Sequence, residues 1–110
     1  MAGKYELKNA SGEKYLWNLI AGNGEVILTS ETYNAKDSAK TGIASCRTNS
    51  PLDARYERKT STDGKPYFAL KAANGEPIGR SEMCSSTSAM ETGITSCKTN
   101  GPSAELVDLT

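Results

Sequence analysis

The stretch Thr41-Gly42-Ile43-Ala44-Ser45-Cys46-Arg47-Thr48-Asn49 returns as Thr92-Gly93-Ile94-Thr95-Ser96-Cys97-Lys98-Thr99-Asn100. Extending the same offset of 51 outward, residues 5–51 match 56–102 at 20 of 47 positions without a gap, which makes the chain an internal duplication. Asn23-Gly24-Glu25 against Asn74-Gly75-Glu76 and Ser30-Glu31 against Ser81-Glu82 are the other dense matches. They fall where turns are expected, so the duplication speaks for architecture more than for chemistry.

Within each copy, the quoted stretch carries an apolar stripe at helical spacing: Ala35, Ala39, Gly42, Ile43 and Cys46, then Ser86, Met90, Gly93, Ile94 and Cys97. The spacing predicts one helix per repeat, with Asn34 and Ser85 as N-cap candidates and Asn49-x-Pro51 or Asn100-Gly101-Pro102 as stops. A glycine inside a helix costs about 1 kcal/mol against alanine. Its recurrence on the apolar stripe implies close helix-to-sheet contact.

Upstream, the residues apolar in both copies are Trp17, Leu19 and Ala21, matched by Phe68, Leu70 and Ala72, at the two-residue period of a half-buried strand. Asn-Gly then marks a hairpin. A three-residue loop with Gly24 or Gly75 left-handed pairs Leu19 with Ile27 and Leu70 with Ile78, keeping apolar pairs on one face, and is the expected register. Val107-Asp108-Leu109 falls on Tyr56-Glu57-Arg58 and Tyr5-Glu6-Leu7, so a strand follows each helix. The expectation is an α+β fold in one pseudo-symmetric domain over 1–110: repeat 1 about 3–53, repeat 2 about 54–103 and a final strand about 104–110. It comprises one antiparallel sheet with both helices on one face.

The pattern aromatic-x-Leu-x-Ala-x-Asn-Gly-Glu at Trp17–Glu25 and Phe68–Glu76, with Ser-Glu, Gly-Ile-x-Ser and the helix-end asparagines, resembles the YegP-like family of small bacterial proteins over nearly the whole chain. This family is a domain of unknown function often found as a tandem pair. The resemblance implies two β(3)-α-β repeats that share one sheet and exchange their terminal strands, and it implies no activity.

Composition narrows function. Thirteen basic residues balance thirteen acidic ones, which gives no electrostatic footprint for nucleic acid or anionic lipid. The longest apolar run, Leu19-Ile20-Ala21, is too short to span a bilayer, and the N-terminal residues lack a secretory core. A cytoplasmic protein is expected. Three cysteines and no histidine exclude a closed disulfide framework, a zinc site of the usual donors and a Cys-His nucleophile, so neither a metal nor a cofactor nor a catalytic residue is assigned.

Cys46 and Cys97 lie on the helix stripe and read as small apolar fillers. Cys84 replaces Tyr33 just ahead of the second helix, where a helix dipole activates a thiol; it is the candidate for an alternative redox or stress-related role. The repeated Glu25, Glu31, Glu76 and Glu82 sit beside turns and helix starts and read as structural.

The repeats differ most on what the strand alternation makes the outer sheet face: Leu16, Ile20, Val26 and Leu28 in the first, Tyr67, Lys71, Pro77 and Gly79 in the second. The leading expectation is a non-enzymatic binding module, a monomer or weak dimer, that docks a protein partner or a second copy through that apolar patch on the first repeat.

Overall fold

A computed structural model of the chain describes residues 3–110. Met1 and Ala2, the start of the segment read for a secretory core, lie outside them. The order is β1 (Lys4–Ala10), β2 (Lys14–Ile20), β3 (Val26–Ser30), α1 (Lys36–Asn49), β4 (Tyr56–Thr60), β5 (Pro66–Lys71), β6 (Pro77–Arg80), α2 (Thr87–Asn100) and β7 (Glu105–Asp108). One sheet holds all seven strands in the order β4-β5-β6-β3-β2-β1-β7.

The repeats meet at β3 and β6, where Thr29 pairs with Arg80. These two residues are each other's equivalents at the offset of 51, so a pseudo-twofold axis passes between them. Both helices pack on one face, and the core lies between them and the sheet: Tyr5, Leu7, Trp17, Leu19 and Leu28 from repeat 1, Tyr56, Phe68, Leu70 and Ile78 from repeat 2, beneath Ile43, Cys46, Met90, Ile94 and Cys97. Edge-on pairs Tyr5–Trp17 (5.4 Å) and Tyr56–Phe68 (5.7 Å) repeat the same aromatic contact on each side.

Strand exchange is evident: β4, which follows α1, pairs with β5, and β7, which follows α2, crosses to β1 of the first repeat. The β1–β7 pair is parallel. The sheet is therefore mixed, a departure from the expected antiparallel arrangement. α2 carries the chain across the face of the sheet, and β7 enters beside β1 running in the same direction.

The three-residue loop is present in both hairpins. Ala21 N–H donates to the Glu25 carbonyl (2.8 Å) and Gly24 N–H to the Ala21 carbonyl (2.9 Å), with Gly24 at φ +89°, and Ala72, Glu76 and Gly75 repeat the arrangement. Asn23 and Asn74 each accept from the N–H of the following glutamate at 3.1 Å, which accounts for the repeated Asn-Gly-Glu. The expected pairing beyond the loop fails, however. Ile20 pairs with Val26, but a bulge then places Leu19 opposite Leu28 and Leu70 opposite Gly79. One extra residue in the returning strand reverses the faces of everything after it.

The helices start one residue later than expected. Ala35 precedes α1 without a side-chain cap, and the Ser86 hydroxyl caps α2 by accepting from Ala89 N–H at 3.1 Å.

Candidate functional site

Several polar residues shared by the repeats satisfy backbone groups. The buried Ser30 hydroxyl accepts from Trp17 N–H (2.9 Å) and donates to the Glu31 carbonyl (2.8 Å), and Ser81 does the same for Phe68 (3.0 Å) and Glu82 (2.9 Å). The amides of Asn49 and Asn100 donate to the Ser45 and Ser96 carbonyls, each at 2.8 Å. Tyr5 and Tyr56 donate at 2.6 Å to the Gly101 and Ser50 carbonyls at the helix ends. Burial holds both phenols well above their ordinary pKa.

A site is thus better sought where the repeats differ, and packing explains several of those differences. Leu28 and Gly79 are equivalents and touch across the pseudo-axis: a Cβ on Gly79 would stand 3.1 Å from the Leu28 Cγ and 2.6 Å from the Thr29 carbonyl oxygen. Ser50 and Gly101, another equivalent pair, meet the same way at the helix ends. Two leucines or two serines at these positions would collide. Leu7 is buried where β7 covers the edge, whereas its equivalent Arg58 lies on the uncovered edge strand β4 and pairs with Glu91 (2.6 Å) and Asp53 (3.2 Å). Charge on an open edge discourages strand addition.

These contacts overturn the outer-face patch. Leu28 is fully buried in the core on the opposite face from Ile20, because of the bulge. Ile20 is only 7% exposed and Leu16 is half-buried, which leaves Val26 as the exposed member of the four. Between Leu16 and Ile20, Asn18 donates to the Thr29 hydroxyl (2.9 Å), and the neighbouring row carries the ion pairs Lys4–Glu6 (3.1 Å) and Lys8–Glu6 (3.6 Å). The apolar residues do not join into one exposed surface.

A further difference, Tyr33 against Cys84, opens a cleft. In repeat 1, Tyr33 exchanges two backbone hydrogen bonds with Tyr15 (2.7 and 2.8 Å), and its ring tip lies over Gly42 so closely that a Cβ there would collide with the hydroxyl. In repeat 2, Cys84 N–H donates to the Pro66 carbonyl (2.8 Å), but proline has no N–H to return the bond. Around Gly93 a Cβ would meet only Phe68, at 3.1 Å. Gly42 is buried and Gly93 is half-buried accordingly.

The result is a cleft of about 560 Å³ floored by Phe68 and Gly93 and walled by Cys84, Thr92, Ser96 and the first hairpin at Glu25–Ile27. In the sequence Cys84 reads as a thiol; the legible signal of the cleft is instead that Cys84 is smaller than Tyr33 at the equivalent position.

Burial pushes Cys46 up to about 11, with the Tyr5 hydroxyl partly offsetting it, and raises Cys97 further. Both are core fillers, the opposite of activated thiolates. Cys84 is half-buried, with its S–H toward the Glu82 carbonyl (3.6 Å), and Ser86 rather than the thiol engages the N-terminus of α2. Among the described residues no cluster of metal-ligating side chains occurs, and no helix is long and apolar enough to cross a membrane.

The profile of the Domain of unknown function DUF1508 matches this chain twice, over residues 10–57 and 61–108. The chain belongs to the UPF0339 (DUF1508) family. Those limits keep the offset of 51 but frame each unit from the second strand through the helix to the exchanged strand, leaving most of β1 outside. UPF0339 protein YegP of Escherichia coli K12 is 53% identical over the full length of both chains, and a UPF0339 protein of Bordetella pertussis is 56% identical over all of this chain and 98% of its own.

The solution NMR structure of YegP superposes with a TM-score of 0.94 over all of this chain and 95% of that one, and that of a UPF0339 protein from Shewanella oneidensis with 0.93 at 51% identity over all of this chain and 93% of that one. The DUF1508 fold is thus an α+β tandem repeat. These relatives are described as proteins of unknown function, and nothing among them supports a thiol-centred redox role.

Proposed function

We propose that the chain is a non-enzymatic binding module of the bacterial cytoplasm, and that its site is the helix-side cleft of repeat 2. The observation that carries this reading is internal: one fold, built twice in one chain, is closed by its own tyrosine in the first copy and left open in the second. A concave cleft with an aromatic floor and a few polar groups along its wall has the form that small-ligand sites take. The cleft hydroxyls favour binding over catalysis. Ser81 is held between backbone groups, Ser86 caps α2, and Thr92 donates to the Ser88 carbonyl at 3.0 Å. Three free cysteines accord with a reducing compartment, and balanced charge gives no support for nucleic-acid binding.

The test is a fragment titration of isotope-labelled protein followed by amide NMR. Shifts gathered at Cys84, Thr92, Gly93 and Ser96 support the reading; shifts spread over the outer face, or none in the cleft, refute it.

A further inference from the structure

The two repeats allow the occupant to be read from the molecule itself. In repeat 1 the space over the helix glycine is filled by a phenol ring, entering from the loop before the helix with its hydroxyl against Gly42. The same backbone in repeat 2 presents Gly93 with nothing but the Phe68 ring within 4 Å of a Cβ position. From these observations, and resting on the binding reading above, we infer that the cleft of repeat 2 takes a phenol ring on an uncharged or cationic stem, supplied by a small molecule or by a tyrosine side chain of a peptide.

The lining fits each part of such a ligand. Gly93 allows a flat ring to lie against the helix, and the edge of Phe68 offers an aromatic neighbour of the kind that favours offset or edge-on packing. Thr92 and Ser96 flank the glycine. Thr92 Oγ1 has committed its proton to the Ser88 carbonyl and is left as an acceptor for a phenolic O–H. Ser96 Oγ accepts from the Asn100 amide at 3.1 Å, which leaves its own proton to donate. At the mouth, Glu25 and Glu82 are the charged members of the lining, which favours a cationic stem and opposes a carboxylate.

The experiment is an amide NMR titration of the full chain with tyramine, p-cresol, 4-hydroxyphenylacetate and, as a non-aromatic control, cyclohexylmethylamine. The expected result is saturable shifts at Gly93, Ser96 and Cys84, strongest with tyramine, weaker with p-cresol and weakest with 4-hydroxyphenylacetate. Cyclohexylmethylamine should leave Gly93 unmoved.

Equal binding of cyclohexylmethylamine and tyramine would overturn the phenol assignment while sparing the cleft; failure of every probe to move Gly93 would overturn both. An acetylated Gly-Tyr-Gly amide separates the sources: binding tighter than p-cresol points to a peptide tyrosine, and equal or weaker binding to a small phenol. Two variants complete the test. Cys84→Tyr should fill the cleft and abolish binding, and Tyr33→Cys should open a second site whose shifts centre on Gly42; retained binding in folded Cys84→Tyr would refute the site. The probe series stands without either variant.

Discussion

Placing alanine at Gly42 and, separately, at Gly93 measures the cleft without any ligand. Both glycines are interior helix positions, so each substitution gains about 1 kcal/mol of helix propensity, and that term cancels in the comparison. What remains is the space for one methyl group. At Gly42 the methyl would collide with the hydroxyl end of Tyr33, whose backbone is fixed by two hydrogen bonds to Tyr15. Overpacking of this kind costs about 1–3 kcal/mol.

At Gly93 the nearest atom is Phe68 Cε2 at 3.1 Å, beside open cleft, so a displacement of a few tenths of an ångström suffices. Gly42→Ala should therefore be less stable than Gly93→Ala by about 1–3 kcal/mol in urea unfolding. In thermal unfolding this corresponds to about 4–8 °C per kcal/mol. Adding Tyr33→Cys removes the collision and leaves Trp17 Nε1, at 3.2 Å, as the nearest atom, much as Phe68 is at Gly93, so in that background the cost of Gly42→Ala should fall by about 1–3 kcal/mol. The two alanine variants agreeing within about 0.5 kcal/mol, or an unchanged alanine cost in the Tyr33→Cys background, would overturn this account of the cleft.

Lysine at Leu28 should unfold the protein, since it buries an unpaired charge in the core. Lysine at Ile20, whose equivalent Lys71 pairs with Glu57 at 2.8 Å, should cost only about 1–2 kcal/mol; urea titration separates them, and equal costs would restore the outer-face placement of Leu28. The Lys36 ammonium, at 2.6 Å, and Thr110 hold the Asp108 carboxyl below the ordinary carboxylate range. Its contribution is therefore present above the unfolded value of about 4 and is lost as pH falls through the depressed one. Asp108→Asn should lower stability at neutral pH by an amount that shrinks on acidification, as followed by pH-dependent melting; a constant difference would exclude the pair. Among the three thiols, Cys84 should alkylate in the native state while Cys46 and Cys97 react only on unfolding, as mass mapping would show.

The repeat, the order of three strands and a helix, the left-handed glycine of each hairpin, the core faces of Trp17 and Leu19 and the strand that follows each helix are all legible in the sequence alone. These are consequences of local periodicity and turn chemistry, which act within a few residues and leave their mark on residue type. The bulge beyond each turn came to light only in the packed chain, because a one-residue slip leaves composition unchanged while reversing every later face; it moved Leu28 from a supposed docking surface into the core. The parallel docking of β7 is of the same kind, since it depends on where α2 ends in space.

Above all, packing set the meaning of the differences between repeats. Leu28 and Gly79 look like an asymmetry of surface until the pseudo-axis brings them into contact. Tyr33 and Cys84 look like a change of chemistry until the ring over Gly42 shows that the change is one of volume. Complementarity between residues 51 positions apart has no signature in either copy alone, since it exists only once both copies are packed against each other.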